Sequence, residues 1–545
     1  MAYRTFSLII GHAICLLLVA GCDLSSDAPT DVLADSSESV LRRGNGGEPD
    51  TLDPSLAEDV HAFNVLFDLY EGLVIEGPDG SLLPGVAESW EISDDGRRYT
   101  FHLRANARWS NGEPVTADEF VAGITRGVSP NSISPYSFLL APIANAVNVI
   151  QGQVPADELG IRAEDSRTLV IELASPASHL PGILAMPVAF PLYGGENFDD
   201  AQFRKPDRFV GNGPYVLDQW LPLERIRLRK NQNYRAADAV AMSTVDYYPI
   251  VNPDTELSMY RAGELDITAT VPAGRVAGMR DERPDELRIA PSLGIYYIAF
   301  DLSEPPLDDK KLRQALSMAI DRDAVVAILA RGESPAFGVV PPGVAAHIAS
   351  TYAWRVLPAA EREKEARRLY VEAGYDAGNP LHLSLIYDTG DVHETVALAV
   401  SAMWRDVLGA DVSLQKKEWQ LFLATRNNRA EWQAMRFAWF GDYNDASTFT
   451  EIFRSGNPQN LSGFQSKEYD EVLNEAAVTI DAGARAALLS HAEQLLIDEY
   501  PIAPLYFFVS KHLVRTDIEN YRANVLDRHP SQFLRKRTDL SEIRN

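Results

Sequence analysis

The sequence predicts an α/β protein with more than one lobe. Strand signals and helix signals are intermixed from about residue 42 to the end, which is typical of the α/β class. The chain has 545 residues, more than a single hydrophobic core usually supports, so two or three lobes are expected. Apolar residues make up 46% and charged residues 23%, a balance typical of globular proteins rather than of disordered or polytopic membrane chains.

Two stretches alternate apolar and polar residues, as half-buried strands do. Because side chains on a strand point to opposite faces in turn, alternation places the apolar residues on one buried face. The apolar positions are Tyr99, Phe101 and Leu103 in the first stretch and Leu169, Ile171 and Leu173 in the second.

Helix signals lie between and after these strands. Thr116 and Glu119 form a capping box, which predicts a helix beginning at residue 117. Apolar residues at helical spacing indicate another helical run over residues 309–329. Two further helices, each followed by a glycine suited to a left-handed cap, are predicted over residues 361–373 before Gly374 and 393–408 before Gly409.

The amino terminus predicts export followed by lipid anchoring. Arg4 precedes a mostly apolar run of about 15 residues, which is short for a membrane span and typical of a signal peptide. The run ends in LVAGC, which resembles the bacterial lipoprotein box. Residues 1–21 are therefore expected to be a signal peptide and Cys22 the lipidated first residue of the mature chain. A plain secretory signal with a coincidental cysteine is the alternative.

Residues 22–41 are expected to tether the folded part to a membrane. They are rich in Ser and Asp and poor in large apolar groups, so a compact core is not expected there. The expected location is the cell envelope, on the periplasmic side of the cytoplasmic membrane, or the extracellular face in a Gram-positive host.

Charge and cysteine content exclude several function classes. The net charge of −27, from 50 Lys+Arg against 77 Asp+Glu, disfavours nucleic acid as a partner. Both cysteines, Cys15 and Cys22, precede the folded part, so it has no disulfide and no Cys-ligated zinc. The motifs of zinc peptidases, phosphate loops, nucleophile elbows and C-x-x-C redox sites are missing from the sequence. We expect a protein that is not an enzyme, with no cofactor and no metal.

Several segments together resemble the family 5 extracellular solute-binding proteins, and most closely the oligopeptide-binding lipoproteins of peptide ABC transporters. The resemblance extends from about residue 43 to about residue 514, and the segments follow one another in family order. They are EPDTLDP at 48–54, LYEGL at 69–73, PGVAESW at 84–90, YTFHLRANARWSNGEPVTADEF at 99–120, GNGPY at 211–215, GELD at 263–266, RQAL at 313–316 and AIDR at 319–322.

This resemblance implies the two-lobed class II periplasmic-binding-protein fold with an additional third domain and the ligand in the interlobe cleft. Hinge closure around the ligand would then report its presence to a transporter. The implied boundaries are 42–71, 196–293 and 509–545 for a discontinuous lobe I, 72–195 for the additional domain and 294–508 for lobe II, with the hinge near residues 293 and 509.

The candidate ligand site centres on the segment RFAWFGDYND at 436–445. A binder that ignores peptide sequence must hold what all peptides share, and a desolvated carboxylate is the natural partner of the α-ammonium. In oligopeptide-binding relatives the Asp of a similar W-x-x-D-Y-N segment has this role, which points to Asp442. The alternative for Asp442 is a loop residue that forms a turn with Asn444.

The resemblance assigns further residues to the cleft. Each also has a structural interpretation, as a packing aromatic or a surface charge. They are Tyr136 near the peptide amino end, Glu58 as an acidic lining residue, Trp419 and Trp439 as pocket walls, Arg426, Arg436 and His393 as partners of the peptide carboxylate, and Gly441 and Tyr443 beside the peptide main chain. Ala446 departs from the proline common in the family, which leaves peptide length and side-chain preference open.

The implied function is a lipid-anchored, monomeric substrate-binding protein that captures oligopeptides for an inner-membrane ABC permease and its ATPase subunits. The same scaffold serves other ligands in the family, so a murein peptide, a dipeptide, a metal chelate or an oligosaccharide remains an alternative. A cell-envelope hydrolase using Asp442 and Asp445 as paired carboxylates is a remote alternative. A signalling or chaperone lipoprotein without a transporter is another.

Overall fold

The computed structural model describes residues 39–195, 203, 205–345, 347–426 and 428–537. The expected signal peptide, Cys22 and all but the end of the expected tether lie outside these residues. Within the described part, no helix combines the length and apolar character needed to cross a bilayer.

Strands are distributed along the whole described chain. In chain order they are β1 (Val40–Gly44), β2 (Val74–Glu76), β3 (Leu82–Pro84), β4 (Ala87–Ile92), β5 (Arg98–Leu103), β6 (Ile161–Asp165), β7 (Thr168–Glu172), β8 (Tyr215–Leu221), β9 (Arg225–Lys230), β10 (Thr244–Tyr248), β11 (Leu287–Phe300), β12 (Ser334–Pro335), β13 (His382–Asp388), β14 (Asp411–Lys417), β15 (Ala434–Phe440), β16 (Ile502–Leu513), β17 (Ile518–Glu519) and β18 (Arg535–Lys536).

Helices alternate with these strands. In chain order they are α1 (Val60–Leu69), α2 (Ala117–Val128), α3 (Ala146–Ile150), α4 (Leu180–Ile183), α5 (Pro253–Ala262), α6 (Val276–Glu282), α7 (Lys310–Ala319), α8 (Arg322–Leu329), α9 (Ala359–Glu372), α10 (Asp391–Leu408), α11 (Trp419–Arg426), α12 (Ser447–Thr450), α13 (Lys467–Val478) and α14 (Ala482–Asp498).

Several of these strands and helices were predicted correctly from short sequence patterns. The alternating stretches form β5 and β7, which pair with each other in one antiparallel sheet. The capping box is present, because Glu119 accepts from the Thr116 backbone N–H and hydroxyl at the start of α2. Gly374 and Gly409 adopt φ angles of +94° and +75° just beyond α9 and α10, as the cap prediction required.

The helical run predicted over residues 309–329 is instead two helices, α7 and α8. Ile320 is extended, with φ −82° and ψ 121°. Asp321 then caps α8 by accepting from the Ala324 N–H at 3.0 Å. The buried guanidinium of Arg322 donates to the carbonyls that end α7. The break follows because an Asp cap competes with helix continuation.

Three larger sheets organise the described chain. The first has the order β1-β10-β9-β8, with β1 parallel to β10. The second is antiparallel with the order β4-β5-β7-β6. The third has the order β12-β16-β11-β15-β13-β14 and mixes parallel and antiparallel pairs. Mixed sheets covered by helices confirm the predicted α/β class.

Two large hydrophobic cores divide the structure. One is built from residues between Leu293 and Val525 and surrounds the six-stranded sheet. The other combines residues of the first two sheets, from Leu41 to Ile267, with a few near the carboxyl end. The regions predicted as lobe I and the additional domain therefore share one core. Their exact boundaries stay a prediction.

Strands β11 and β16 are long and run side by side from the first core, around Phe300 and Ile502, to a third, smaller core that contains Leu513. They pair from Leu287 with Leu513 to Ala299 with Ile502. Their register shifts between Pro291 and Ile295, so a bulge interrupts the ladder. A bulge bends a strand pair and weakens its continuity. It lies where the sequence predicts the hinge, near residues 293 and 509.

Candidate ligand-binding site

Asp442 follows strand β15 and is held by hydrogen bonds of the neighbouring backbone. The Gly441 N–H donates to the Leu293 carbonyl at 2.8 Å, next to the bulge in β11. The Asp442 N–H lies 3.4 Å from the Thr448 hydroxyl. The backbone amides of this segment are thus engaged, and pairing with an extended ligand at Gly441 would use its carbonyl.

The carboxylate of Asp442 is half-buried and unpartnered. It accepts no hydrogen bond from any residue that the structure describes. Burial raises the pKa of Asp442 to about 6, and the positive charge of Arg528 opposes this rise only in part. A partly desolvated carboxylate without a hydrogen-bond partner gains by pairing, so this site favours binding of a cation or a hydrogen-bond donor.

Arg528 and Tyr136 lie within electrostatic reach of Asp442, and Glu58 lies within reach of Tyr136. We call these four residues the Asp442 cluster. Burial raises the pKa of the Tyr136 phenol, and the charges acting on it include Asp442, Arg528 and Glu58. The Tyr136 ring is held by an edge contact with Phe63, whose centroid lies 5.4 Å away. Glu58 is exposed, as expected for a group lining an open cleft.

Arg528 was not anticipated from the sequence. Its guanidinium forms an ion pair with Glu76 and lies 5.1 Å from the centroid of Phe67. These contacts hold Arg528, and with it the carboxyl-terminal segment, near Asp442. No motif marks Arg528, because its neighbours come from parts of the chain more than 80 residues away.

The loop after β15 also contacts the region predicted as the additional domain. The Tyr443 ring stacks on His179 at 4.7 Å with an interplanar angle of 8°. The Asn444 amide lies 3.4 Å from the Gly80 carbonyl. The Asp442 cluster therefore lies between the two cores, where a ligand would touch both sides.

Asp445 does not form a catalytic pair with Asp442. Both of its oxygens accept from the Arg485 guanidinium, at 2.6 and 2.8 Å. The guanidinium is among the groups that hold the pKa of Asp445 below its usual range. General acid–base hydrolysis needs one carboxyl able to carry a proton beside another that stays charged. Asp445 instead fixes the loop to helix α14.

A second group of predicted residues gathers around Arg436, with Asp388, His393, Tyr296 and Phe422. We call these five residues the Arg436 cluster. Buried Arg436 forms an ion pair with Asp388, and its guanidinium lies 5.1 Å from the Phe422 centroid. The His393 Nδ1 is 3.2 Å from the Tyr296 hydroxyl. Burial, then the charge of Arg436, lowers the pKa of His393, so this imidazole is neutral at pH 7.

The remaining predicted residues contact members of the core around the six-stranded sheet. Trp419 is exposed, whereas Trp439 and Arg426 contact neighbouring groups of the protein. Trp419 is 45% exposed and stacks on Phe422, the Trp439 indole N–H donates to the Thr448 carbonyl at 2.8 Å, and Arg426 lies 5.8 Å from the Phe437 centroid.

Comparison with known proteins places the chain in a family. The profile described as "Bacterial extracellular solute-binding proteins, family 5 Middle" matches residues 81–460. The chain is 38% identical over 474 residues to the probable deoxycholate-binding periplasmic protein YgiS of Escherichia coli, covering 86% of this chain and 88% of that protein. It is 34% identical over 521 residues to the periplasmic oligopeptide-binding protein OppA of E. coli, covering 94% and 95%.

A solved structure agrees over nearly the whole described fold. The unliganded open form of the periplasmic murein tripeptide-binding protein MppA superposes with a TM-score of 0.86 at 33% identity, covering 92% of this chain and 98% of that one. The chain thus has the two-lobed periplasmic-binding-protein fold, and it is a binding protein rather than an enzyme. It belongs to the family 5 bacterial extracellular solute-binding proteins.

Proposed function

We propose that this protein captures oligopeptides between its lobes and delivers them to an ABC-type importer of the cytoplasmic membrane. The observation that carries the proposal is the unpartnered, half-buried carboxylate of Asp442 between the two cores. A peptide α-ammonium supplies both the opposite charge and the hydrogen-bond donors that this carboxylate lacks.

The opposite end of the peptide would meet a weaker partner. Arg436 is already paired with Asp388, and the neighbouring His393 is neutral at pH 7. A peptide carboxylate approaching this cluster therefore gains less than it would from a free guanidinium. Firm capture of the amino end with a loose carboxyl end suits ligands of different lengths.

The similarity to a probable deoxycholate-binding protein and to a murein tripeptide-binding protein makes deoxycholate and murein peptides alternative ligands. Deoxycholate is an anion, and placing its carboxylate beside Asp442 would bring two negative charges together in a poorly solvated cleft. A murein peptide carries an amino group and extra carboxylates, so it fits the same site. Deoxycholate, if bound, would have to occupy another part of the cleft.

Export and anchoring complete the proposal. The LVAGC segment and the Ser- and Asp-rich stretch after it support a lipid on Cys22 and a location outside the cytoplasmic membrane. Labelled palmitate should enter the protein in growing cells, and Cys22→Ser should abolish this labelling and release the protein from the membrane. Unchanged labelling of the variant would overturn the assignment.

Calorimetric titration tests the ligand. Purified protein, unfolded and refolded to remove carried ligand, is titrated with tri- to pentapeptides, a murein tripeptide and deoxycholate. We expect micromolar or tighter binding of free peptides, and weakening of about 30- to 1,000-fold in Asp442→Asn, because a charge-assisted contact contributes about 2–4 kcal/mol.

Two controls accompany this titration. Amino-terminally acetylated peptides should bind as poorly to the natural protein as free peptides bind to Asp442→Asn. Asp94→Asn, at an exposed carboxylate that makes no hydrogen bond within the described structure, should leave affinity unchanged. Binding of deoxycholate without binding of any peptide would reject the proposal.

A further inference from the structure

A cluster of two histidines and one carboxylate lies apart from the ligand site, beside the hinge strands. It comprises His512 on β16 and Asp527 and His529 in the segment that follows. One nitrogen or oxygen atom from each residue lies within 4.8 Å of the others. The His512 Nε2 is 2.8 Å and the His529 Nε2 is 3.3 Å from the same Asp527 oxygen.

The two imidazoles are oriented by neighbouring groups. The Nδ1 of His512 lies 2.8 Å from the Thr268 carbonyl, so Nδ1 carries a proton and Nε2 faces Asp527. The His529 ring stacks on Tyr521 with a centroid distance of 4.0 Å. A carbonyl that fixes the remote nitrogen of a histidine is the usual outer support of a metal-bound imidazole.

An unsatisfied polar group lies beside the cluster, and a neighbouring cavity gives a small ion access to it. The Tyr521 hydroxyl is buried, makes no hydrogen bond with any described residue and lies within electrostatic reach of Asp527. The side chains of His512 and His529 are 11% and 6% exposed, whereas that of Asp527 is 33% exposed. Both His512 and Asp527 line a cavity of about 380 Å³ next to the hinge.

Two cations near the cluster have partners of their own. The Arg43 guanidinium donates to the Ser531 hydroxyl and to the His529 carbonyl, each at 2.8 Å, and has Asp68 as a counter-charge. The Lys511 ammonium lies 3.9 Å from Glu333. Their charges are therefore partly compensated and do not bar a further cation.

We propose that His512, Asp527 and His529 bind a divalent cation of the zinc class. Two imidazole nitrogens and one carboxylate oxygen are a ligand set that zinc accepts, with a fourth position open towards the cavity. The neighbouring Arg528 reaches the Asp442 cluster, so the bound cation fixes the segment that places Arg528 on the floor of the ligand site.

The alternative is a structural ion pair between His512 and Asp527 with no affinity for metal. Untagged protein, treated with a chelator and dialysed, distinguishes the two when titrated with Zn²⁺ by calorimetry and with Co²⁺ by visible absorption. We expect one saturable equivalent of Zn²⁺ and the absorption of tetrahedral, nitrogen-bound Co²⁺. Both readouts use the natural protein without peptide, so they do not depend on the proposed ligand.

Matched variants locate the metal. His529→Gln and Asp527→Asn should each weaken Zn²⁺ binding at least about 100-fold, since loss of even an outer support typically costs 10- to 100-fold. His382→Gln should have no effect, because His382 is paired with Asp411 at 2.8 Å but belongs to no three-residue group among the described residues. Absence of a saturable Zn²⁺ site in the natural protein, or full affinity in both cluster variants, would overturn the proposal.

Discussion

Arg436 lies in strand β15 and Asp442 just after it, yet the two charges differ in how they are compensated. The Asp442 carboxylate has no hydrogen-bond partner within the described structure and a raised pKa of about 6. The Arg436 guanidinium is buried against Asp388 and two aromatic rings. The Asp442 charge is available to a ligand, whereas the Arg436 charge is compensated within the fold.

We therefore expect the Asp442 charge to matter mainly for ligand binding and the Arg436 charge mainly for the stability of the fold. A partly desolvated charge without a hydrogen-bond partner costs some folding free energy, which a ligand of opposite charge recovers on binding. A paired buried charge costs little folding free energy while both partners are present. Removing one partner leaves the other buried without compensation, which destabilises the protein. Substitutions in the two clusters should therefore change different quantities.

The largest effect is expected on stability, at Arg436. Arg436→Met leaves the Asp388 carboxylate buried without its partner and should reduce the free energy of unfolding by about 3 kcal/mol. The double variant Arg436→Met/Asp388→Leu removes both charges and should recover most of this loss. Urea denaturation of the natural protein, both single variants and the double variant measures the coupling. If the losses of unfolding free energy in the two single variants add up to that in the double variant, the two side chains are not energetically coupled.

The next effect is on affinity as a function of pH. Asp442 titrates near pH 6 in the free protein, and a bound ammonium favours its charged form. Peptide affinity should therefore fall up to about tenfold per pH unit as the pH drops below 6, because the protonated carboxyl must release one proton to pair with the ammonium. It should also fall above about pH 8, where the peptide α-amino group loses its proton. Titrations across this range in Asp442→Asn should lack the acidic limb.

The smallest effect is on the stability of the ligand-free protein. The folded pKa of Asp442 lies above the unfolded value near 3.8, so the folded state binds more protons between about pH 4 and pH 6. Stability should decrease as pH rises through this window and stay lower above it. Asp442→Asn should remove the decrease and raise the free energy of unfolding at pH 7 by about 1 kcal/mol. This is less than the roughly 3 kcal/mol that two pKa units correspond to, because the Asn amide is itself a half-buried polar group that needs a partner. A thermal midpoint in the variant no higher than in the natural protein would contradict this account.

Much of the fold could be predicted from local patterns. Alternation in the stretch around Phe101, the capping box at Thr116 and the glycine after α10 act within a few residues, and each element formed as predicted. The run from 309 to 329 was predicted wrongly as one helix, because apolar spacing continues through a point where Asp321 caps a second helix. Periodicity reports which face is buried but does not show where the backbone breaks.

The sequence by itself determined the α/β class, the family and the segment that carries Asp442. These follow from residue order and from short-range preferences that the chain carries wherever it folds. Only the tertiary structure decided that Asp442 is unpartnered, that Arg436 is paired with Asp388, and that His512 and His529 meet at Asp527. Such pairings depend on distances between segments that are remote in sequence. No local pattern encodes those distances, because they are set by how whole sheets and helices pack.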